Sequence, residues 1–237
     1  MAKKKNEKIK HRWRKCPLGT HWRSASNVDK HHRKKITVKE HYRKGTCVKN
    51  RSGKDSLYAD EMFLISNTYF SKNKTNISSN SLGYRKGNQY DQIIDGWVTY
   101  WNEILKPKFP LDPDFVKVMI ATESSFNSRA EAFAGKRAGH ARGLMQVTDI
   151  TLKYLKGHKT EARNQLVELD EDDMYDPVLN IAAGVRWLYR KKQIADAKFE
   201  EPSWLKSVML YKGYRSMNNK NVKKFIRLYE RIKSEKH

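Results

Sequence analysis

From about residue 84 onward the apolar residues return every third or fourth position, a period that confines this part of the chain to α-helix. Ile93, Ile94, Trp97, Val98 and Trp101 form the first such stripe. Pro107 and Pro110 interrupt it, and Asp112-Pro113 then supplies an N-cap with proline at the first helical position. Further helices are expected over 148–157, 177–193, 202–212 and 219–234, with a Gly/Ala/Arg-rich loop over 134–142. Strand signals are weak after residue 60, so the expected class is mainly α.

The first quarter of the chain differs in charge. Residues 1–60 hold 19 Lys/Arg against 5 Asp/Glu, a net of +14 out of +23 for all 237 residues. This favours anionic partners and marks a boundary near residue 60. Residues 1–10 are a Lys-rich tail expected to be disordered. In "KITVKEHYRKGTCVKN" β-branched and polar residues alternate around Arg43-Lys44-Gly45, which predicts a β-hairpin in a small basic module. Residues 66–83 are rich in Ser and Asn and lack periodicity. The expected organisation is a basic module over 1–60, a linker over 61–83 and a helical domain over 84–237.

Cys16, His21, His41 and Cys47 form a C-x4-H…H-x5-C arrangement that tetrahedral zinc could use. A Cys16–Cys47 disulfide and two free thiols are the competing readings. Trp13, Trp22 and Tyr42 stand among basic residues, where they can stack on nucleobases or sugars or build a small core. Attachment to an anionic surface polymer is favoured over nucleic-acid reading, since no nucleic-acid motif is present. No run reaches the roughly 18 apolar residues of a membrane helix. The basic N-terminus has no apolar stretch behind it, so no classical secretory signal is expected.

"FVKVMIATESSFNS", residues 115–128, sets an acid after an apolar face. At 100° per residue Val116, Met119, Ile120 and Glu123 share one side of a helix. A carboxyl group at a core edge can act as an acid, or it can simply end the helix facing water. Three later stretches bear on the choice: "ARGLMQV" at 141–147, "YDPVLNIAAGVRWLYRK" at 175–191 and "VMLYKGY" at 208–214.

Together these stretches resemble the soluble lytic transglycosylase, goose-lysozyme-like family over roughly residues 90–215. The matching residues are Glu123-Ser124, then Gly143-Leu144-Met145-Gln146, then Pro177, Asn180, Gly184 and Leu188, then Tyr211 and Gly213. The resemblance implies a lysozyme-like domain that cleaves peptidoglycan without a cofactor, with Glu123 as sole acid/base. It implies substrate-binding positions at Ser124, Met145, Gln146 and Tyr211, and structural ones at Asn180 and Gly184. The implied product carries a 1,6-anhydro ring; a hydrolysing muramidase is the lesser reading. Two departures stand out. Lys212 replaces the usual Asn after the Tyr, and Ala132 stands where many members place a Ser that hydrogen-bonds the acid. Tyr211 is then the expected group to orient Glu123.

Asp149, Asp173 and Asp176 are the other acids in range, and their positions near helix starts favour structural roles. The competing function is an inactive lysozyme-like protein that binds nucleic acid or an anionic surface polymer through residues 1–60. A wall enzyme without a secretory signal is expected to reach the wall by lysis, in a phage particle or through a specialised secretion system.

Overall fold

The computed structural model describes residues 13–28, 31–33, 36–72, 75–201 and 203–235, so the tail expected at 1–10 lies outside the described residues. Seven helices carry the described fold: α1 (Ala59–Tyr69), α2 (Asp91–Leu105), α3 (Pro113–Glu123), α4 (Asp149–Leu155), α5 (Pro177–Lys198), α6 (Trp204–Tyr211) and α7 (Lys220–Ser234). The mainly α expectation holds, and the later helices fall where the apolar period placed them.

α3 is the central element. Asp112 caps it by accepting the Asp114 N–H at 3.0 Å, with Pro113 in the first turn. Every residue from Asp114 to Ala121 is buried, so the helix is enclosed on all sides. α7 covers one side, with Phe225 and Tyr229 at 4.7 and 5.1 Å from the Phe115 ring. The two buried charges of α3 are tied to the segment that precedes α2. Asp114 accepts the Ser78 N–H, and Lys117 donates to the Ser78 carbonyl, Asn88 and Asp91 at 2.7 to 2.9 Å. The stretch expected as a linker therefore differs from that reading. Its first part is α1, with Met62 and Ile65 buried, and its later part packs against α3. Polar composition hid this, because Ser and Asn here satisfy buried charges.

Among the described residues six short strands form the basic module: β1 (Thr20–Arg23), β2 (Ser26–Val28), β3 (His31–Arg33), β4 (Ile36–Val38), β5 (His41–Arg43) and β6 (Thr46–Lys49). They pair antiparallel as β1 with β6, β2 with β5 and β3 with β4, so each pair is nested within the one before it along the chain. A hairpin exists, but Arg43-Lys44-Gly45 is a kink between β5 and β6, not its turn. Gly45 is small for a packing reason: a Cβ there would lie 2.5 Å from the Trp22 ring.

Cys16 and Cys47 are joined in a disulfide. The zinc set of Cys16, His21, His41 and Cys47 is corrected accordingly, since both sulfurs are consumed. His21 instead stacks on Tyr58 and bonds Asn50 at 2.8 Å, and His41 bonds the Lys39 carbonyl at 2.9 Å. The ribbon is anchored to the helices by two residues ahead of the disulfide. Trp13 is buried, with its indole N–H 2.6 Å from Glu103. Buried Arg14 forks onto Glu61 of α1 at 2.8 and 3.0 Å and pairs with Asp55. A short parallel pair, β7 (Ser56–Tyr58) with Leu166–Glu168, joins the end of this region to the chain ahead of α5.

Three further strands, β8 (Glu131–Phe133), β9 (His140–Arg142) and β10 (Val147–Thr148), form one antiparallel sheet, and β11 is the Leu166–Glu168 strand just described. Among the described residues no helix is long and apolar enough to cross a membrane.

Candidate active site

α3 ends abruptly at Glu123. Ser125 and Phe126 adopt left-handed backbone at φ 53° and 63°, and Phe126 is buried in the core. Such conformations in residues other than glycine cost on the order of 1–3 kcal/mol each, so the packing of Phe126 is what imposes the stop. It leaves the Glu123 side chain at the core edge, 17% exposed. Of the two placements open from sequence, the core edge is the one observed, although the helix is buried all round and not along one face only.

The "GLMQ" stretch turns between β9 and β10, and α5 holds the turn. Asn180 is buried and fully engaged: its carbonyl accepts the Met145 N–H at 2.8 Å, and its amide donates to the Arg142 and Met174 carbonyls at 2.9 Å. Gly143 has φ +73°, and a Cβ there would lie 2.1 Å from the Met174 carbonyl oxygen. Gly184 lets Met145 lie on α5, since a Cβ would meet the Met145 sulfur at 2.4 Å. Asn180→Ala is expected to leave three buried backbone groups unpaired, each costing about 1–3 kcal/mol. Thermal unfolding of the variant should show a large drop in melting temperature.

Met145 is fully buried, and its packing on Gly184 makes its side chain a support for the turn. Ser124 is likewise turned inward, its hydroxyl donating to the Ile120 carbonyl at 3.3 Å. Neither side chain lines the groove described next: one serves the packing and the other the helix end. Gln146 and Tyr211 do line an open groove of about 690 Å³, together with the 134–138 loop, Tyr154, Trp187, Lys191 and Lys212. Tyr154 and Trp187 give it an aromatic wall, their rings 5.8 Å apart and nearly parallel. Sequence reading missed both. Trp187 falls three residues after Gly184 on the same helix, which was the available signal.

Tyr211 does not orient Glu123. Its hydroxyl donates to the Met145 carbonyl at 2.8 Å. Burial, reinforced by the nearby Glu123 carboxylate, raises its phenol well above the ordinary value, so it stays protonated. The partner of Glu123 is Lys212. Its ammonium forms an ion pair with Glu123 Oε1 and donates to Thr122 Oγ1 at 3.1 Å. Its side chain is only 5% exposed. Lys212 is held there by the end of α6. Gly213 has φ +73°, its N–H reaches the Leu210 carbonyl, and the Tyr214 N–H reaches the Met209 carbonyl, a Schellman turn. Glu123 Oε2 makes no hydrogen bond among the described residues.

The other acids are bound to structure. Asp149 accepts the His140 N–H and pairs with Arg142; burial opposes its ionisation, but these contacts bring it below the usual carboxylate range. Asp173 accepts the Asp170 N–H, and Asp176 caps α5 through the Val178 and Leu179 N–H groups. No cluster of three potential metal ligands occurs among the described residues.

No curated protein and no solved structure matches the chain. A family model, the transglycosylase SLT domain, matches residues 100–231, from the middle of α2 to near the end of α7. That match spans more than half of the chain and contains Glu123, the "GLMQ" turn, the α5 clamp and the Tyr211–Gly213 turn, so the chain belongs to the SLT family of peptidoglycan lytic transglycosylases.

Proposed function

We propose that Glu123 cleaves the β-1,4 bond between N-acetylmuramic acid and N-acetylglucosamine, as single acid and base. The observation that carries this reading is a half-buried carboxyl group paired with Lys212, which itself lines a groove with an aromatic wall. Aromatic faces suit sugar rings, and the polar atoms of Gln146 suit hydroxyl and amide groups.

Lys212 and Glu123 face each other as an ion pair. Sugar in the groove excludes water, which favours neutral groups over charged ones. One proton moving along the existing contact then yields amine and carboxylic acid with no change in net charge. Glu123 gives its proton to the bridging oxygen as the C1–O bond breaks, and the substrate's N-acetyl group stabilises the developing cation. The carboxylate then takes the proton of the muramic C6 hydroxyl, and that oxygen closes on C1. The product is 1,6-anhydro-N-acetylmuramic acid, with no water consumed, so a second carboxylate to activate water is unnecessary. Mass spectrometry of digested peptidoglycan should find anhydro ends, 18 mass units below reducing ends by the loss of one water. Reducing ends alone would assign the protein to the hydrolases.

The same reading puts the site of action at the bacterial cell wall. The basic ribbon ahead of α1 supports attachment to an anionic wall polymer. Lys15 lies 3.8 Å over the Trp22 ring, and Tyr42 is exposed.

A further inference from the structure

A second cavity, of about 360 Å³, lies away from Glu123, between the end of α2, the 161–164 loop and the face of α5 that carries Arg186, Arg190 and Gln193. It is lined by three arginines, Arg163, Arg186 and Arg190, against one acid, Glu161. Arg190 is already matched: its Nε and Nη2 bond Glu161 at 3.1 and 2.9 Å. Two positive charges remain.

Arg186 is the unusual one. It is 3% exposed, and among the described residues it has no carboxylate partner. Its Nε and Nη2 donate to the backbone carbonyls of Gln165 and Asn164 at 3.0 and 2.8 Å. Its Nη1 is buried with no hydrogen bond among the described residues. The Trp101 ring, 5.7 Å from the guanidinium carbon, contributes only a weak attraction. Burial, with Arg190 nearby, pushes the guanidinium down to about 10, the direction expected of a cation short of counter-charge. A buried ion without a partner is strongly unfavourable, and an unsatisfied buried donor calls for a water or an ion. Arg163, at the rim, is exposed and free to close over a ligand.

We propose that this cavity is a binding site for a phosphate-type oxyanion, held from within by Arg186 and from the rim by Arg163. The two uncompensated charges match a phosphate dianion better than a carboxylate, and guanidinium groups bind phosphate oxygens in a fork. The phosphate is either free or part of a wall polymer of phosphodiesters. The site shares α5 with the groove: Arg186 and Trp187 are consecutive, as are Arg190 and Lys191, so the two concavities lie on adjacent faces of one helix.

The test is calorimetric titration and thermal melting of the full chain with inorganic phosphate, with chloride at matched ionic strength and pH as control. Phosphate should bind and raise the melting temperature with the logarithm of its concentration; chloride should not. Arg163→Glu alters an exposed residue and keeps the fold; it should weaken phosphate at least about tenfold, and Arg186→Lys should weaken it comparably. A short poly(glycerol phosphate) forms the second arm. Tighter binding of the polymer assigns the ligand to the wall, and tighter binding of inorganic phosphate assigns it to a free anion; either supports the site. Equal responses to phosphate and chloride, or unchanged phosphate affinity in Arg163→Glu, would overturn it.

Discussion

Glu123→Gln is expected to reduce peptidoglycan cleavage by about 10²- to 10⁴-fold, the usual contribution of a positioned acid or base. The change keeps the shape of the side chain and leaves an oxygen to accept from Lys212. It removes the group that can carry a proton to the bridging oxygen and take one from the C6 hydroxyl. Both half-reactions depend on the same atom set, so the loss should fall on kcat with little change in KM. Asp149, Asp173 and Asp176 cannot substitute, because each is committed to backbone N–H groups. Turbidity clearing of purified peptidoglycan, with circular dichroism to verify the fold, measures the effect. Cleavage at the wild-type rate would remove Glu123 from the mechanism, and with it the single-carboxylate route.

The helices were legible because their signals are local. The stripe of Ile94, Trp97, Val98 and Trp101 is buried, and the Asp112-Pro113 start is observed as a cap. Asn180 and Gly184 were expected to be structural and are. What sequence did not reveal depends on contacts distant along the chain. The packing of 75–91 onto α3 requires Lys117 and Asp114, two charges inside an apolar helix whose partners lie about 30 residues upstream. The ribbon register depends on Trp22 filling the place beside Gly45, not on the turn propensity of Arg43-Lys44-Gly45. Met145 looked like a groove residue because it sits next to Gln146. The turn points neighbouring side chains in different directions, and only Gln146 reaches the groove.

Lys212→Met is expected to lower kcat by about 10²-fold with KM little changed, the scale of a catalytic group misplaced by an ångström. Lys212 stands where the resemblance leads one to expect Asn, and Ala132 where a Ser often holds the acid. Read singly, each departure weakens the site. Together they describe an exchange, in which the hydroxyl lost at Ala132 is replaced by an ammonium that grips Oε1 and is itself steadied by Thr122. Methionine fills the same volume but cannot donate, so the Glu123 carboxyl group would lose its only hydrogen bond among the described residues. Arginine keeps the cation and its donors but does not surrender a proton, so Lys212→Arg should restore positioning alone. The expected order of kcat is therefore lysine, arginine, methionine. If methionine matched lysine, the ion pair would not be what aims Glu123. If arginine matched lysine, the pair would position the acid without supplying its proton.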